Sequence, residues 1–473
     1  MGTILAVVLV LYVGLILGIS IWSYRRTSTE DDFIAAGRSI GPLVGGAVLA
    51  ATQISAGTVV GTIGRHYLTG VSWWFIWLGV WAGWLVSAFF VAPKFRRLGA
   101  LTVPDYVAAR FASEKARALA AVLIVVAYSV YLVAQLQASG EIAQAIFGLD
   151  PLWAMLAVAA STAFYSGLGG VRSSSYIEFI QTLIMVAGLV MAVPVLLDLA
   201  GGVGQSIAFL RGLDPRLTGF FYAPQELLAF GISFGLSIAA APYELARFYS
   251  MRDEKTVQRA IYVAIGFQLV IGLAVLAIGL LTRVLFPSLG SADQASSIMA
   301  FEVLPPVVGA LLLVAMLSAI LSTVNSILLV TGASVAHDLY GRFLAPGASQ
   351  RHLVWANRIA IAALALLPLY FALQKLGDVQ GIVVAQTKLI ASFFFVPVVA
   401  GLNWRRATAA GAIAAMVGGF TACLAWELLV LRGFDPRGID AVEIGVATSL
   451  LLFVVVSRFT RPVPEENLRL FFD

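Results

Sequence analysis

Long apolar segments alternate with short polar connections along the whole chain of 473 residues. About thirteen segments reach the length of roughly 20 residues that an α-helix needs to cross a bilayer. The loops between them carry most of the charged residues. The pattern predicts an all-α polytopic membrane protein with about thirteen transmembrane helices embedded in the lipid bilayer. The segments centre near residues 13, 52, 82, 128, 160, 188, 238, 270, 320, 364, 391, 420 and 450.

The composition agrees with a membrane chain. Hydrophobic residues make up 60% of the sequence and charged residues 12%, whereas soluble domains carry roughly 25% charged residues. The single cysteine, Cys423, excludes an internal disulfide and a cysteine-based metal cluster. We expect no nucleic-acid partner, because the basic residues behind the net charge of +5 lie in short loops between apolar segments.

Lysine and arginine are distributed unequally between the two alternating sets of loops. The set that follows the odd-numbered segments carries about three times as many of them as the other set. The positive-inside rule places the richer set in the cytoplasm. We therefore expect a multi-pass protein of the cell membrane with its N-terminus outside and its C-terminus inside. Residues 1–473 are expected to form a single transmembrane domain.

The second apolar segment, LAATQISAGTVVGTIG (Leu49 to Gly64), is rich in small residues and has Gln53 near its centre. Small residues and a mid-membrane amide suit close packing between helices. They also suit a helix that unwinds around a ligand, because unwinding frees backbone carbonyls to bind a hard cation. The segment by itself leaves both interpretations open.

The ninth segment contains LSAILSTVNS (Leu317 to Ser326), which has no charge but several hydroxyl and amide side chains. On a helix, Ala319, Ser322, Thr323 and Ser326 share one face. Each hydroxyl could simply bond back to the carbonyl one turn earlier. Alternatively, the hydroxyls could join carbonyls of the second segment in an uncharged oxygen site for a small cation such as sodium.

Charged residues inside the apolar segments are further candidates. Glu178 starts the sixth segment, and an acid there either lies at the interface or faces a cavity or partner. Lys388 in the eleventh segment either extends to the outer interface or provides a counter-charge for an anionic substrate or a buried acid. Glu244 is expected to pair locally with Arg247, three residues later.

The third segment is rich in tryptophan. Trp73 and Trp74 fall where an outer aromatic belt belongs. Trp77, Trp81 and Trp84 follow at helical spacing. This second group could line a cavity, although a packing or lipid-facing role is the preferred interpretation.

Five motifs, in this order and spacing, resemble the solute:sodium symporter family, which includes sodium/proline, sodium/galactose, sodium/pantothenate and sodium/sialic acid transporters. The resemblance covers nearly the whole chain. The motifs are DDFIAAGRSIGP (Asp31 to Pro42), PKFRRLGALTVPDYVAARF (Pro93 to Phe111), YSGLGGVRSSSYIEFIQ (Tyr165 to Gln181), LSTVNSILLVTGASVAHDLYGRF (Leu321 to Phe343) and WRRATAAGA (Trp404 to Ala412).

The resemblance implies a fold of the LeuT type, in which two five-helix repeats are inverted relative to each other. An extra helix would span residues 1–26, the ten-helix core residues 40–404, and two C-terminal helices residues 407–460. It also implies sodium-coupled import of a small molecule by alternating access, performed by a monomer.

The resemblance implies a sodium site between the first and eighth core helices. Glu178 replaces an aspartate that the family often has near the ion path, and is expected to assist sodium binding or release. Some members bind a second sodium with a serine at the position of Ala319, so its absence here favours a single sodium per cycle. The implied sodium ligands are the backbone oxygens of Ala51, Ile54 and Ala319 and the hydroxyls of Ser322 and Thr323.

The substrate-binding positions depart from the sugar-transporting members. Gln53, Thr58 and Gln268 stand where the galactose transporter contacts its sugar with other residue types, so a sugar is not favoured. Lys388, if it faces the cavity, suggests a carboxylate-bearing solute such as a monocarboxylate, an amino acid or pantothenate. The predicted substrate-binding residues are Gln53, Thr58, Gln268, Gln386 and Lys388.

Other functional classes remain open at this point. A transporter-like solute sensor and a proton-coupled symporter would have the same apolar pattern, and a channel is a weaker option. A membrane enzyme is not expected, because the segments contain no paired acids, histidine cluster or nucleophile–base pair.

Overall fold

The computed structural model describes residues 2–25, 29–148 and 150–472. Residues 1, 27, 28, 149 and 473 lie outside these ranges. So does Arg26, which ends the predicted helix 1–26 and is one of the basic residues counted in the loops. The side chains of residues 96 and 145–147 are likewise not described. The principal helices are α1 (Gly2–Tyr24), α2 (Pro42–Gln53), α3 (Ile76–Val86), α4 (Glu114–Phe147), α5 (Pro151–Leu199), α6 (Pro224–Ala240), α7 (Pro242–Ser250), α8 (Glu254–Leu285), α9 (Pro306–Ala333), α10 (Gln350–Leu366), α11 (Val379–Phe395), α12 (Ala409–Leu431) and α13 (Ala441–Phe459).

The described part of the chain contains 11 helical stretches that are long and apolar enough to cross a membrane. This confirms an all-α, multi-span membrane protein. Several stretches exceed the roughly 20 residues of one crossing, and two of them contain a glycine with positive φ: Gly57–Phe95, with 39 residues, and Pro151–Leu199, with 49. The longer one, α5, breaks at Gly170, whose φ is 57°. A Cβ at that position would lie 2.3 Å from the carbonyl oxygen of Phe33, so the close approach requires glycine.

Polar residues in the connections cap the first turns of the apolar helices. Asp253 accepts a hydrogen bond from the amide of Thr256 at 2.7 Å at the start of α8. Asp378 accepts one from the amide of Gly381 at 2.8 Å at the start of α11, and Asp440 caps α13. These caps satisfy backbone N–H groups that have no partner within their own helix.

In the described part of the chain, extended residues interrupt two further helices. After α2, Ile54 adopts an extended conformation with φ −80° and ψ 111°, and the helix resumes at Gly57. Between α6 and α7, Ala241 is extended with φ −62° and ψ 116°. Pro242 explains this second break, because proline excludes the helical conformation from the residue before it. Helices α7 and α9 both pack against α2, so the two breaks lie within one packed unit.

Ion pairs connect loops that the sequence places on the same side of the membrane. Two pairs join loops of the arginine-rich side, and a third joins two loops of the opposite side. Since each pair joins connections of one predicted set, the structure agrees with the grouping of the loops. The pairs are Arg97–Glu254 at 2.6 Å, Arg342–Glu114 at 3.3 Å and Arg65–Asp378 at 3.1 Å.

A cluster of charged residues, here called the inner cluster, lies on the arginine-rich side and consists of Glu30, Asp105, Arg117, His337 and Asp338. Arg117 donates to Asp105 and, at 3.1 Å, to Asp338. His337 contacts Glu30 at 2.8 Å and Asp105 at 3.1 Å. Burial alone would raise the pKa of the Asp105 carboxyl, but His337 and Arg117 outweigh it and hold that pKa well below its usual range.

The inner cluster joins four separate parts of the chain. These are the connection between α1 and α2, the short helix Val103–Phe111, the start of α4 and the helical extension of α9. Ligand atoms of Asp105, His337 and Asp338 lie within 4.8 Å of one another, as in a metal site. The Arg117 guanidinium already lies between the two aspartates, and we therefore assign the cluster to ion pairing.

Candidate ion and solute site

Five oxygens meet where the break after α2 faces α9. Ser322 Oγ donates to the carbonyl of Ala51 at 2.9 Å. Thr323 Oγ1 donates to the carbonyl of Ile54 at 3.2 Å. Both hydroxyls also approach the carbonyl of Ala319, at 3.0 and 3.1 Å. The structure thus brings together the five predicted sodium residues, and all five are fully buried. We call these three carbonyl and two hydroxyl oxygens the oxygen cluster.

The oxygen cluster has the chemistry of a site for a small hard cation. It offers uncharged oxygens only, and a hydroxyl can turn its hydrogen away and present a lone pair instead. The bonds to Ala319 are the local ones expected from packing alone. The bonds to Ala51 and Ile54, however, join two helices across the break, which local bonding does not explain.

Side chains stabilise the unwound backbone next to the oxygen cluster. The amide of Ala56 donates to Oε1 of Gln135 on α4 at 3.0 Å. The amide of Gly57 donates to Oγ of Ser55 at 3.0 Å. These bonds satisfy N–H groups that the break removes from the helix, so the neighbouring carbonyls can face α9 without orphaned donors.

Glu178 lies at the centre of a buried polar network beside α9. Its Oε1 accepts hydrogen bonds from Arg247 at 2.7 Å, Asn325 at 2.7 Å, Ser174 at 2.6 Å and Ser326 at 3.0 Å. The side chain is fully buried. The carboxylate therefore faces partners inside the bundle, which is the second of the two alternatives that the sequence left open.

The Glu178 network adjoins the oxygen cluster. The hydroxyl of Ser326, which contacts Glu178, is also 3.1 Å from the hydroxyl of Thr52. Thr52 follows Ala51 in the chain, and Ser326 lies one helical turn after Ser322 and Thr323. A cation that left the oxygen cluster toward the arginine-rich side would therefore meet Glu178 within one turn of α9.

The predicted local pair between Glu244 and Arg247 is wrong. Arg247 reaches across from α7 to Glu178 on α5, where two serines and an asparagine share the interaction. Both carboxylate oxygens of Glu244 are buried and lack a hydrogen-bond partner among the described residues. Residue spacing on one helix does not predict that Arg247 binds Glu178, because a long arginine side chain can reach an acid on another helix.

A small cavity lies on the other side of the break after α2. Gln53 and Thr58 line it, and Oε1 of Gln53 accepts a hydrogen bond from the hydroxyl of Tyr243 at 2.9 Å. None of the described residues that line it is charged. The lining residues are Gln53, Ser55, Gly57, Thr58, Thr62, Ile76, Trp77, Val80, Tyr131, Phe234, Tyr243, Gln380, Val383 and Thr387.

The structure does not bring the other three predicted substrate residues into this lining. Gln268 on α8 and Gln386 on α11 are buried outside it. Lys388 points to the C-terminal helices, where Nζ lies 2.8 Å from both Glu427 on α12 and Asp440, which caps α13. Lysine here provides a counter-charge for two acids of the chain itself.

Several cavity residues were not identified from the sequence. Trp77 both lines the cavity and packs on α8, where a Cβ at Gly272 would lie 3.2 Å from its ring. From the sequence, the helical spacing of Trp77 was compatible with lining a cavity, although a packing or lipid-facing role was preferred. Tyr243 follows the proline of the second break, a signal that could have identified it. Tyr131 lies within an apolar run and had no such signal.

Comparisons of the sequence with known families and proteins identify one family and several relatives. The family model described as Sodium:solute symporter family matches residues 33–419. The high-affinity proline transporter PutP of Bacillus subtilis is 28% identical, over 94% of this chain and 95% of that protein. The sodium/pantothenate symporter of Escherichia coli is 28% identical, over 97% of each chain.

Solved transporter structures share the fold. A Na+-coupled sialic acid symporter superposes with a TM-score of 0.83 at 17% identity, over 98% of this chain and 99% of the other. Mhp1, a nucleobase-cation-symport-1 family transporter, gives a TM-score of 0.58 at 16% identity, over 94% and 99% of the two chains. At these identities the similarity shows the fold, which is of the LeuT type.

Proposed function

Because the chain belongs to the sodium:solute symporter family, we infer that it imports a small polar organic solute together with sodium by alternating access. Membership makes it a sodium-coupled transporter rather than an enzyme, and a multi-pass protein of the cell membrane. The direction of transport, the class of solute and the residues that bind each cargo are our proposals.

Thirteen crossings in a five-plus-five inverted repeat are our proposed topology, with the N-terminus outside. Two of the long apolar stretches then count as two crossings each, divided at Gly70 and Gly170, which both have positive φ. The helix α2 continues after its break to complete the second crossing, and α6 with α7 forms the seventh. The two discontinuous helices are then five crossings apart, as an inverted repeat of five requires. Residues 40–404 form the core, flanked by helices in residues 1–26 and 407–460.

Sodium is proposed to bind in the oxygen cluster, as a single ion. The observation that carries this proposal is the convergence of five uncharged, buried oxygens on two helices, one of which is unwound at that point. A cation there would connect α2 to α9. It would thereby favour one arrangement of the two helices over the other.

The solute is proposed to carry a carboxylate beside an apolar part, and to bind next to Gln53 and Thr58. The named solutes of the relatives, proline and pantothenate, have this character. Aromatic side chains such as Trp77, Tyr131 and Phe234 offer an apolar wall to the cavity. Neutral donors, rather than Lys388, would receive the carboxylate, because Lys388 is held by two acids of the chain.

The proposed cycle begins with sodium entering the oxygen cluster from outside. Solute then binds beside Gln53, the bundle changes its orientation, and sodium leaves past Glu178. The coupling is a difference in sodium affinity between the two orientations. A membrane potential of about 100 mV, inside negative, adds roughly 2.3 kcal/mol for each sodium that crosses.

Uptake into proteoliposomes tests this function. The purified protein is offered a panel of carboxylates, amino acids, sugars and vitamins, with an inward sodium gradient or with choline replacing sodium. We expect accumulation of a carboxylate-bearing solute that requires sodium. Uptake indifferent to sodium would contradict the proposal.

The same panel distinguishes the remaining functional classes. Binding of a solute without accumulation would indicate a transporter-like sensor. Accumulation that follows a pH gradient in the complete absence of sodium would indicate proton coupling in place of sodium coupling. Light scattering of the reconstituted protein tests the monomeric state that we propose.

A further inference from the structure

Glu244 on α7 is a buried acid that the proposed sodium cycle does not use. Its side chain is 1% exposed. Neither carboxylate oxygen has a hydrogen-bond partner among the described residues. The nearest cation, Arg247, donates through Nη2 to Glu178, while its Nη1 has no partner within the described part of the chain.

These surroundings favour the neutral form of the Glu244 carboxyl group. An ionised carboxylate without partners is costly to bury, and the group takes up a proton instead. With both acids ionised, Glu178, Glu244 and Arg247 together carry one net negative charge inside the bundle. A proton on Glu244 makes the three side chains neutral in sum.

The titratable groups that face Glu244 come from three helices. Arg247 and Glu178 are the charged ones, and the phenols of Tyr128, Tyr131 and Tyr243 complete the set. Helices α2 and α9, which pack against α7, contain no titratable side chain.

The remaining charged side chains near α7 are engaged elsewhere. On the neighbouring segments before α2 and around Val103–Phe111, each acid has a cationic partner. Arg110 donates to the carbonyls of Gly401 and Trp404. The partnered acids are Glu30 with His337, Asp31 with Arg38, Asp32 with Arg172, and Asp105 with Arg117 and His337. In the segment Ala92–Leu98, the described basic side chains are Lys94 and Arg97. Lys94 donates to the carbonyl of Leu402, and Arg97 pairs with Glu254.

We propose that Glu244 is a proton-binding site and that the protein carries a proton together with sodium. Arg247 acts as the switch, because it stands three residues from Glu244 on the same helix and has an unused nitrogen. When sodium moves from the oxygen cluster toward Glu178, it weakens the attraction of that carboxylate for Arg247. Arg247 then turns to Glu244.

The proton balance of this step is simple. The O–H bond of the Glu244 carboxyl breaks, and the proton passes to water. The carboxylate that remains is stabilised by Arg247. A small cavity on the arginine-rich side is lined by Arg247, Ala246, Ser326 and Thr102, and the proton is proposed to leave through it.

The inference rests on the proposed sodium coupling and adds a linkage between the two ions. Sodium in the oxygen cluster and a proton on Glu244 favour the same state, so each must increase the affinity for the other. Adding sodium to the protein should therefore take protons up from solution. Sodium affinity should fall as the pH rises, by up to about tenfold per pH unit.

Purified protein in weak buffer with a pH-sensitive dye tests the linkage, with sodium chloride as the probe and choline chloride as the blank. At alkaline pH, where the sodium-free protein has begun to lose the proton of Glu244, we expect sodium to cause uptake of up to about one proton per molecule. Tryptophan fluorescence measures sodium affinity in parallel as a function of pH. Glu244→Gln, which mimics the protonated acid, should abolish the proton uptake and make sodium affinity independent of pH. Glu302→Gln, at an exposed acid, is the matched control and should behave as the wild type.

Proton uptake or pH dependence unchanged in Glu244→Gln would overturn the proposal, as would sodium binding to the wild type without proton uptake. Infrared spectra provide a separate test that needs no sodium. The band of a protonated carboxyl group should be present in the wild type and weaker in Glu244→Gln at the same pH, and identical bands would also overturn the proposal.

If sodium fails to bind at all, the proposed sodium coupling fails, while the infrared spectra still decide whether Glu244 holds a proton. If Glu244→Gln does not fold, Glu244→Asp replaces it. Aspartate retains a titrating acid, so sodium should still cause proton uptake but with a shifted pH dependence, and an unshifted dependence would overturn the proposal.

Discussion

Charged side chains inside the bundle are held by groups on other helices rather than by neighbours in sequence. Arg247 binds Glu178 at 2.7 Å, and Arg358 donates to the carbonyl of Gly167 at 2.7 Å. Lys388 lies between two acids of the C-terminal helices. The sequence predicted a local pair for Arg247, and for Lys388 it left open the outer interface, an anionic substrate or a buried acid. The three-dimensional neighbours of each residue decide its role, since burying a charge requires a partner in direct contact.

Lys388→Met tests the anchoring role of this lysine. The substitution leaves two partly buried acids without their cation, so we expect the free energy of unfolding to fall by about 1–3 kcal/mol. Sodium and solute affinity should be unchanged, because the side chain points away from the cavity. Thermal unfolding in detergent and uptake kinetics measure the two effects.

Lys375→Met, at an exposed lysine, is the control and should change neither quantity. Adding Glu427→Gln to Lys388→Met should recover part of the lost stability, because one unpaired charge is removed. A loss of solute affinity in a stable Lys388→Met protein would contradict the anchoring role. It would instead support the substrate contact that the sequence predicted.

At the scale of helices, the sequence predicted much of the architecture and one face of the oxygen cluster. Small residues around Gln53 allowed a break in the second segment, and the hydroxyl spacing from Ser322 predicted the face opposite to it. The break before Pro242 was missed, although an Ala-Ala-Pro run in an apolar segment is a physical signal for it. The contacts of Glu244, Gln268 and Lys388 could not be predicted, because they depend on which helices meet and at what rotation.

The inner cluster provides a test at this scale, because it joins helices distant in sequence. Asp105→Asn should lower the free energy of unfolding by about 1–3 kcal/mol at neutral pH through loss of the contacts to Arg117 and His337. The native pKa of Asp105 lies below its usual range. Its contribution is therefore fully present above the unfolded pKa of about 4 and is lost as the pH falls through the native pKa.

Melting temperatures of the wild type and Asp105→Asn between neutral pH and about pH 3 measure this contribution. We expect the difference between the two proteins to shrink in the acid range. Asp214→Asn, at a partly exposed carboxylate paired with Arg216, should leave the melting temperature nearly unchanged at every pH. A difference for Asp105→Asn that is equally large at all pH values would contradict the assignment.

At the scale of the whole molecule, the proposed cargo sites occupy a short stretch of the bundle between the broken helix α2 and its neighbours. The oxygen cluster joins α2 to α9, and the cavity beside Gln53 joins α2 to α7 through Tyr243. Both sites therefore share the unwound residues after Gln53. A ligand in either site changes the environment of the other, which is the physical requirement for coupling two cargoes.

Direct sodium binding to the purified protein tests the central claim, that the oxygen cluster is the sodium site. Binding of radioactive sodium is compared for the wild type, Thr323→Ala and Thr331→Ala. Thr331 also lies on α9 and is buried, but its hydroxyl bonds only within its own helix, to Ile327 at 2.7 Å and Leu328 at 3.4 Å. We expect saturable binding of a single ion, at least about tenfold weaker in Thr323→Ala, a loss of about 1.4 kcal/mol or more, and unchanged in Thr331→Ala. Equal sodium affinity in Thr323→Ala and the wild type would show that sodium binds elsewhere and that these hydroxyls only pack two helices together.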